Sequence, residues 1–216
     1  MAATDTTAAT DWALVHAERA ALADDLAGLT DEQWATPSLC SGLTVREVLA
    51  HLTAGATLRF PRWFAGVLRC RFDFDRQVAM RLAEHLGDSP ADTLARFRRA
   101  VPRTTSPLGR RGSTVWTLAE TVVHAEDVRR PLGLRRAHPL DVLTRVAEYH
   151  AGTDAVVLAR GRITGLRLEA TDGPFATGSG PLVSGPTLAL VLAMTGRAAG
   201  CADLTGPGVA VLRGRC

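Results

Sequence analysis

The sequence predicts a mainly α fold, an antiparallel helix bundle followed by a small α/β unit, and three observations carry that reading. Apolar residues recur at helical spacing through long segments between residues 10 and 160. Short stretches rich in proline, glycine and serine punctuate those segments, as in bundles whose neighbours run antiparallel. After Gly161 the period changes, because Ile163, Leu166, Leu168 and Ala170 with the intervening Arg167 and Glu169 read as a strand. The expected domains are therefore a helical bundle over 1–160 and a small α/β domain over 161–216.

The first helix is expected over roughly 10–28, from Trp12, Val15, Leu22 and Leu26, with Gly28 near its end. Residues 31–42 read as a connecting loop because of Pro37, Ser38 and Gly42. Thr44 and Glu47 then form a Thr-x-x-Glu capping box that starts a second helix at Val45. Pro61 kinks or ends that helix. A third helical region, about 74–101, is broken at Gly87, with Ser89 and Pro90 as a cap and first-turn proline. The loop 102–112 is basic, Ser113 opens a helix over 114–130, and Pro131 and Gly133 close it. His138 and Pro139 introduce another helix, to about residue 160. In the tail, 182–183 reads as a short strand, 186–195 as a helix and 209–212 as a final strand. No internal repeat or low-complexity segment is present.

Composition restricts the function classes. All 25 basic residues are arginine against 22 acidic ones; lysine and asparagine are absent and Ile163 is the single isoleucine. Such a bias follows from a GC-rich genome, so a net charge of +3 says little about nucleic acid without clustering on one face. The one basic concentration, Arg69, Arg71, Arg96, Arg98, Arg99, Arg103, Arg110 and Arg111 with Phe72, Phe74 and Phe97 between, reads first as a solvated face. No helix-turn-helix is evident, so DNA binding is a third-ranked reading. The N-terminal ten residues do not resemble a signal peptide, and no window holds the roughly 18 apolar residues of a membrane span. A cytoplasmic protein without membrane association is expected. Cys40, Cys70, Cys201 and Cys216 lack Cys-x-x-Cys pairing, which argues against a zinc finger or disulfide framework. Cys40, in a loop shortly before the helix that bears His51, reads first as structural and second as a nucleophilic thiol, and the Arg69–Cys70–Arg71 environment offers no general base. No phosphate-binding glycine loop or serine nucleophile motif occurs.

The chemistry concentrates at Glu120 and His124, four residues apart and hence on one helical face. A carboxylate and an imidazole so placed can bind one divalent metal, or form an ion pair. Trp116, Ala119, Val122 and Val123 surround them with apolar side chains, and an unpaired buried Glu costs several kcal/mol. His51, among Val48, Leu52, Ala54 and Leu58, is the natural third ligand if its helix faces the other; alone it would read as a core histidine. Asp127 either orients or joins the ligands, or pairs with Arg129 or Arg130. His16, His85, His138 and His150 lack a partner at ligand spacing and read as surface or boundary residues.

Residues 34–52, with Trp34, Pro37, Cys40, Gly42, Thr44, Glu47 and His51, followed by Glu120, His124, Glu126, Asp127 and Arg129, resemble the mycothiol-dependent maleylpyruvate isomerase family of actinobacteria, within the DinB-like helix-bundle superfamily. The tail, with Gly180, Pro181, Gly185 and Pro186 and then Thr195, Gly196 and Arg197, is similar to that family's small C-terminal α/β unit. The resemblance implies a DinB-like four-helix bundle in which His51, Glu120 and His124 hold Zn2+ or another divalent metal, with water completing the shell. It implies a mycothiol-dependent isomerase or thiol S-transferase whose partners are a low-molecular-weight thiol and a small electrophile. Asp127 and Arg197 are the candidate catalytic residues, and Arg197 matches a region that holds anionic substrate or thiol. Arg197 also reads as a charge complementing a helix C-terminus. A non-catalytic metal-binding or regulatory protein of the same fold is the alternative. An enzyme is expected to keep an open metal position, whereas a pure binder needs only a closed four-ligand site.

Overall fold

A computed structural model describes residues 2–107, 114–155 and 157–216. Arg110, Arg111 and Ser113, named above in the basic loop and at a helix start, lie outside the described residues. The chain divides into two compact units, Met1–Arg135 and Arg136–Cys216. The division falls well before the expected boundary at 160/161, because the helix after Pro139 packs on the helix Thr187–Met194 of the second unit.

The first unit is helical: α1 (Ala2–Asp25), α2 (Asp31–Trp34), α3 (Val45–Thr57), α4 (Phe60–Arg69), α5 (Phe74–His85), α6 (Pro90–Ala100) and α7 (Thr114–Arg129). Helix α1 packs on α7 and α6, and α3 packs on α5, α6 and α7. Their shared core contains Leu22 and Leu26 of α1, Val48, Leu49 and Leu52 of α3, Leu94 and Phe97 of α6, and Ala125 and Val128 of α7. Local chemistry sets the starts. The Thr44 hydroxyl accepts from the Glu47 amide, and a Glu47 carboxylate oxygen accepts from the Thr44 amide at 2.8 Å, the reciprocal capping box expected from sequence. The Ser89 side chain caps α6 with Pro90 in its first turn.

Three elements differ from expectation here, the first being α1, which runs Ala2–Asp25 rather than 10–28. Thr30 and Gln33 form a second reciprocal box, so the connecting segment contains the short helix α2, which buries Trp34. Helix α3 ends at Thr57, and Pro61 starts α4 rather than kinking its predecessor, because a first-turn proline gives up an amide that has no helical partner. The basic concentration separates: Phe97 is buried in the core, while Phe72 and Phe74 are exposed. Arg96 pairs with Asp92 at 2.9 Å one turn earlier.

The second unit comprises α8 (Leu140–Gly152), α9 (Ala159–Arg162), β1 (Arg167–Ala170), β2 (Ala176–Gly178), β3 (Leu182–Gly185), α10 (Thr187–Met194), a 3-10 helix (Ala198–Asp203) and α11 (Val209–Arg213). The sheet order is β2-β1-β3, with Leu168 opposite Thr177 in the antiparallel pair and opposite Val183 in the parallel pair. Gly180 adopts φ 125° in the turn before β3, where a Cβ would run into the Gly165 carbonyl oxygen. Helix α10 is apolar along nearly its whole length and buried, because it lies among α8, the strands and the 3-10 helix.

The helix expected to reach residue 160 stops at Gly152, and α9 is a separate turn. The expected final strand over 209–212 is helical: Thr205 already bridges Ser184 at the edge of β3, the chain turns at Gly206 with φ 107°, and the Leu212 amide bonds to the Gly208 carbonyl at 3.0 Å. Among the described residues, no helix is long and apolar enough to cross a membrane.

Candidate metal centre

Helices α3 and α7 pack against each other in the first unit and bring together the three residues that spacing and resemblance single out. His51 lies halfway along α3, after the Thr44 box has fixed where that helix begins. Glu120 and His124 occupy one face of α7, whose Ala119, Val122 and Val123 are buried. One ligand atom each from His51, Glu120 and His124 lies within 4.8 Å of the other two. The two imidazole rings meet edge to face, with centroids 4.9 Å apart. His124 Nε2 stands 3.4 Å from Glu120 Oε2.

That 3.4 Å separation is long for a hydrogen bond to a carboxylate, whose N···O distance is about 2.7–2.9 Å when the donor is charged. It matches the distance of about 3.3 Å between two ligands that each bond a tetrahedral ion at about 2.0–2.1 Å. Two imidazole nitrogens and one carboxylate oxygen form a donor set that suits a borderline divalent cation and leaves a coordination position for a small molecule. The residues present therefore fit such an ion.

Asp127, fully buried, accepts a 2.9 Å hydrogen bond from His124 Nδ1. Of the two arginines near Asp127 in sequence, Arg129 pairs with Asp25 and Glu126, and Arg130 with Glu126. The bond to Asp127 keeps a proton on Nδ1, so Nε2, which faces Glu120, is the nitrogen that would give up its proton to a cation. Burial disfavours a charged His124 ring, yet bonds to Asp127, Cys40 and Glu120 outweigh it and raise the pKa well above the ordinary histidine value.

Cys40 belongs to this neighbourhood, which the sequence reading did not anticipate: its thiol, His124 and Asp127 also offer ligand atoms within 4.8 Å of one another. The signal available was only that Cys40 precedes the His51 helix. What delivers the thiol is a long-range contact, the Leu39 amide bonding to the Asp127 carbonyl at 3.0 Å.

Arg197 lies in the second unit, immediately before the 3-10 helix. Its guanidinium donates to the Thr195 carbonyl at 2.8 Å and its amide to the Leu192 carbonyl at 2.8 Å, at the C-terminal end of α10. Among the other histidines, His150 is buried beside Tyr149 rather than at a boundary. The His16 ring lies tilted beside Trp12, centroids 6.0 Å apart, and approaches the Arg103 carbonyl. Cys70 and Cys201 are buried, and Cys216 is exposed with its thiol pushed up to about 11 by partial burial and by Cys201.

The "Mycothiol maleylpyruvate isomerase N-terminal domain" family matches residues 15–142, a span that contains Cys40, His51, Glu120, His124 and Asp127 but not Arg197. Two crystal structures of the mycothiol-dependent maleylpyruvate isomerase share the fold. One, of a histidine-to-alanine mutant, superposes with a TM-score of 0.64 at 15% identity, covering 92% of each chain. The other gives 0.56, also at 15% identity and 92% of each chain. A search of curated proteins by sequence finds no match. A family match across more than half of the chain, over a helical unit that gathers two histidines and a glutamate at one point, makes this protein a member of the mycothiol maleylpyruvate isomerase N-terminal domain family.

Proposed function

We propose that the protein is a mycothiol-dependent enzyme, an isomerase of the maleylpyruvate type or a thiol S-transferase, in which His51, Glu120 and His124 hold one divalent metal, zinc by the family resemblance. The observation that carries this reading is the convergence of the three side chains within 4.8 Å with Asp127 fixing the tautomer of His124. When bound, the metal supplies a Lewis acid that favours the thiolate form of a coordinated thiol and polarises a carbonyl oxygen.

The chain's own residues do the rest. Asp127 holds the Nδ1 proton, so His124 presents Nε2 and cannot swing away without breaking a buried hydrogen bond. Glu120 balances the cation with one negative charge, and its 22% side-chain exposure places it at the solvent side of the pair it forms with His124. His51 comes from the other helix, so the ligand point tracks the packing of α3 on α7. Arg197 is assigned the binding of an anionic substrate or thiol group.

The test is turnover of the full chain with mycothiol and either maleylpyruvate or a small electrophile. Activity should require both the thiol and a divalent metal, and should vanish in Glu120→Gln. A metal-loaded protein that neither isomerises nor transfers the thiol would replace this reading with the non-catalytic metal-binding one.

A further inference from the structure

His124 has two sets of ligand partners, not one. On one side stand His51 and Glu120; with Cys40 and Asp127 it forms a second group whose ligand atoms also lie within 4.8 Å of one another. The two groups differ in chemistry, because the first offers nitrogen and oxygen only and the second adds sulfur.

The thiol is held in place by the fold. Pro37 and Thr44 bridge the two ends of the segment that carries Cys40. The Ser38 hydroxyl accepts from the Cys40 amide at 3.1 Å and donates to the Leu43 carbonyl at 2.8 Å. The Leu39 amide then fastens the loop to the Asp127 carbonyl on α7. Asp127 is fully buried and His124 only 8% exposed, while Cys40 is half-buried and gives the group its solvent side. His124 Nδ1 and Asp127 Oδ2, 2.9 Å apart and hydrogen-bonded in this structure, put a nitrogen and an oxygen donor side by side next to the thiol.

We propose that Cys40, His124 and Asp127 form a second cation position, selective for a soft, thiophilic divalent ion such as Cd2+. Softness decides the partition: thiolate sulfur favours soft ions, and the His51–Glu120 side, lacking sulfur, favours borderline and harder ones. Because both positions use His124, they compete. Binding forms a sulfur–metal bond and a nitrogen–metal bond at His124 Nδ1; the thiol proton and the Nδ1 proton leave to solvent, with no electron transferred. The inference does not depend on mycothiol chemistry and stands or falls apart from it.

The test is a titration of the chelator-treated full chain with Cd2+, followed through the ultraviolet sulfur-to-cadmium charge-transfer band. Wild type and His51→Ala should both develop the band, saturating near one ion per chain. Cys40→Ser should lose the band and bind Cd2+ about tenfold or more weakly. Cadmium NMR on the wild type reads sulfur ligation directly and decides the matter if Cys40→Ser does not fold. Cd2+ bound without the band, or a band unchanged in Cys40→Ser, would overturn the proposal.

Discussion

Replacing Arg129 with alanine should destabilise the first unit by about 3–5 kcal/mol, the range for removing one partner of a buried ionic cluster. Arg129 is completely buried on α7, with Nε 2.7 Å from Asp25 and a terminal nitrogen 3.5 Å from Glu126 and 3.9 Å from Glu18. The Glu18 and Glu126 side chains are each only 4% exposed. Without the guanidinium, the buried Glu18 and Glu126 carboxylates lose a shared cation, with Arg130 still 3.7 Å from Glu126, and α1 loses a polar tie to α7. Lysine should recover part of the loss at most, since a single ammonium cannot face three carboxylates with the planar fork of arginine. Denaturant unfolding reads the change as a shift in midpoint at constant slope.

Replacing Asp127 with asparagine should weaken zinc binding by about 10–100-fold while leaving the fold intact. The side chain keeps its size, but the charge that favours the Nδ1-protonated tautomer of His124 is gone, and the amide can also turn its nitrogen toward the ring. A competition titration against a chromogenic chelator measures the loss. A larger defect is expected for Asp127→Ala, where His124 loses its buried acceptor altogether. Toward the ion held by His51, Glu120 and His124, Asp127 is a positioning residue that acts through His124.

Much of this arrangement was legible in the sequence, and the reasons are local. The box at Thr44, the cap at Ser89, the i, i+4 placement of Glu120 and His124 and the change of period after Gly161 each depend on residues near one another in the chain. Where the reading departed from the structure, a distant contact or an overlooked cap decided. The 209–212 segment is a short apolar run with no clear period, and Thr205, by taking the edge of β3, leaves it to coil as α11. Helix α8 carries the same apolar stripe as a bundle helix, and only its packing on α10 assigns it to the second unit. Asp127 had two open partners in sequence, and its hydrogen bond to the ring of His124 depends on how that ring is turned, which no spacing encodes. Cys40 is brought to His124 by one hydrogen bond across 88 residues, from Leu39 to Asp127, and no periodicity encodes it.

The central claim, that His51, Glu120 and His124 hold one divalent metal, is tested most directly by elemental analysis of the full chain purified without chelator, beside its His124→Ala variant. The account predicts about one metal ion per chain in the wild type, zinc before others, and close to none in the variant. A folded wild-type protein that contains no metal, and takes up none when zinc is offered, would contradict it and leave Glu120 and His124 as a buried ion pair.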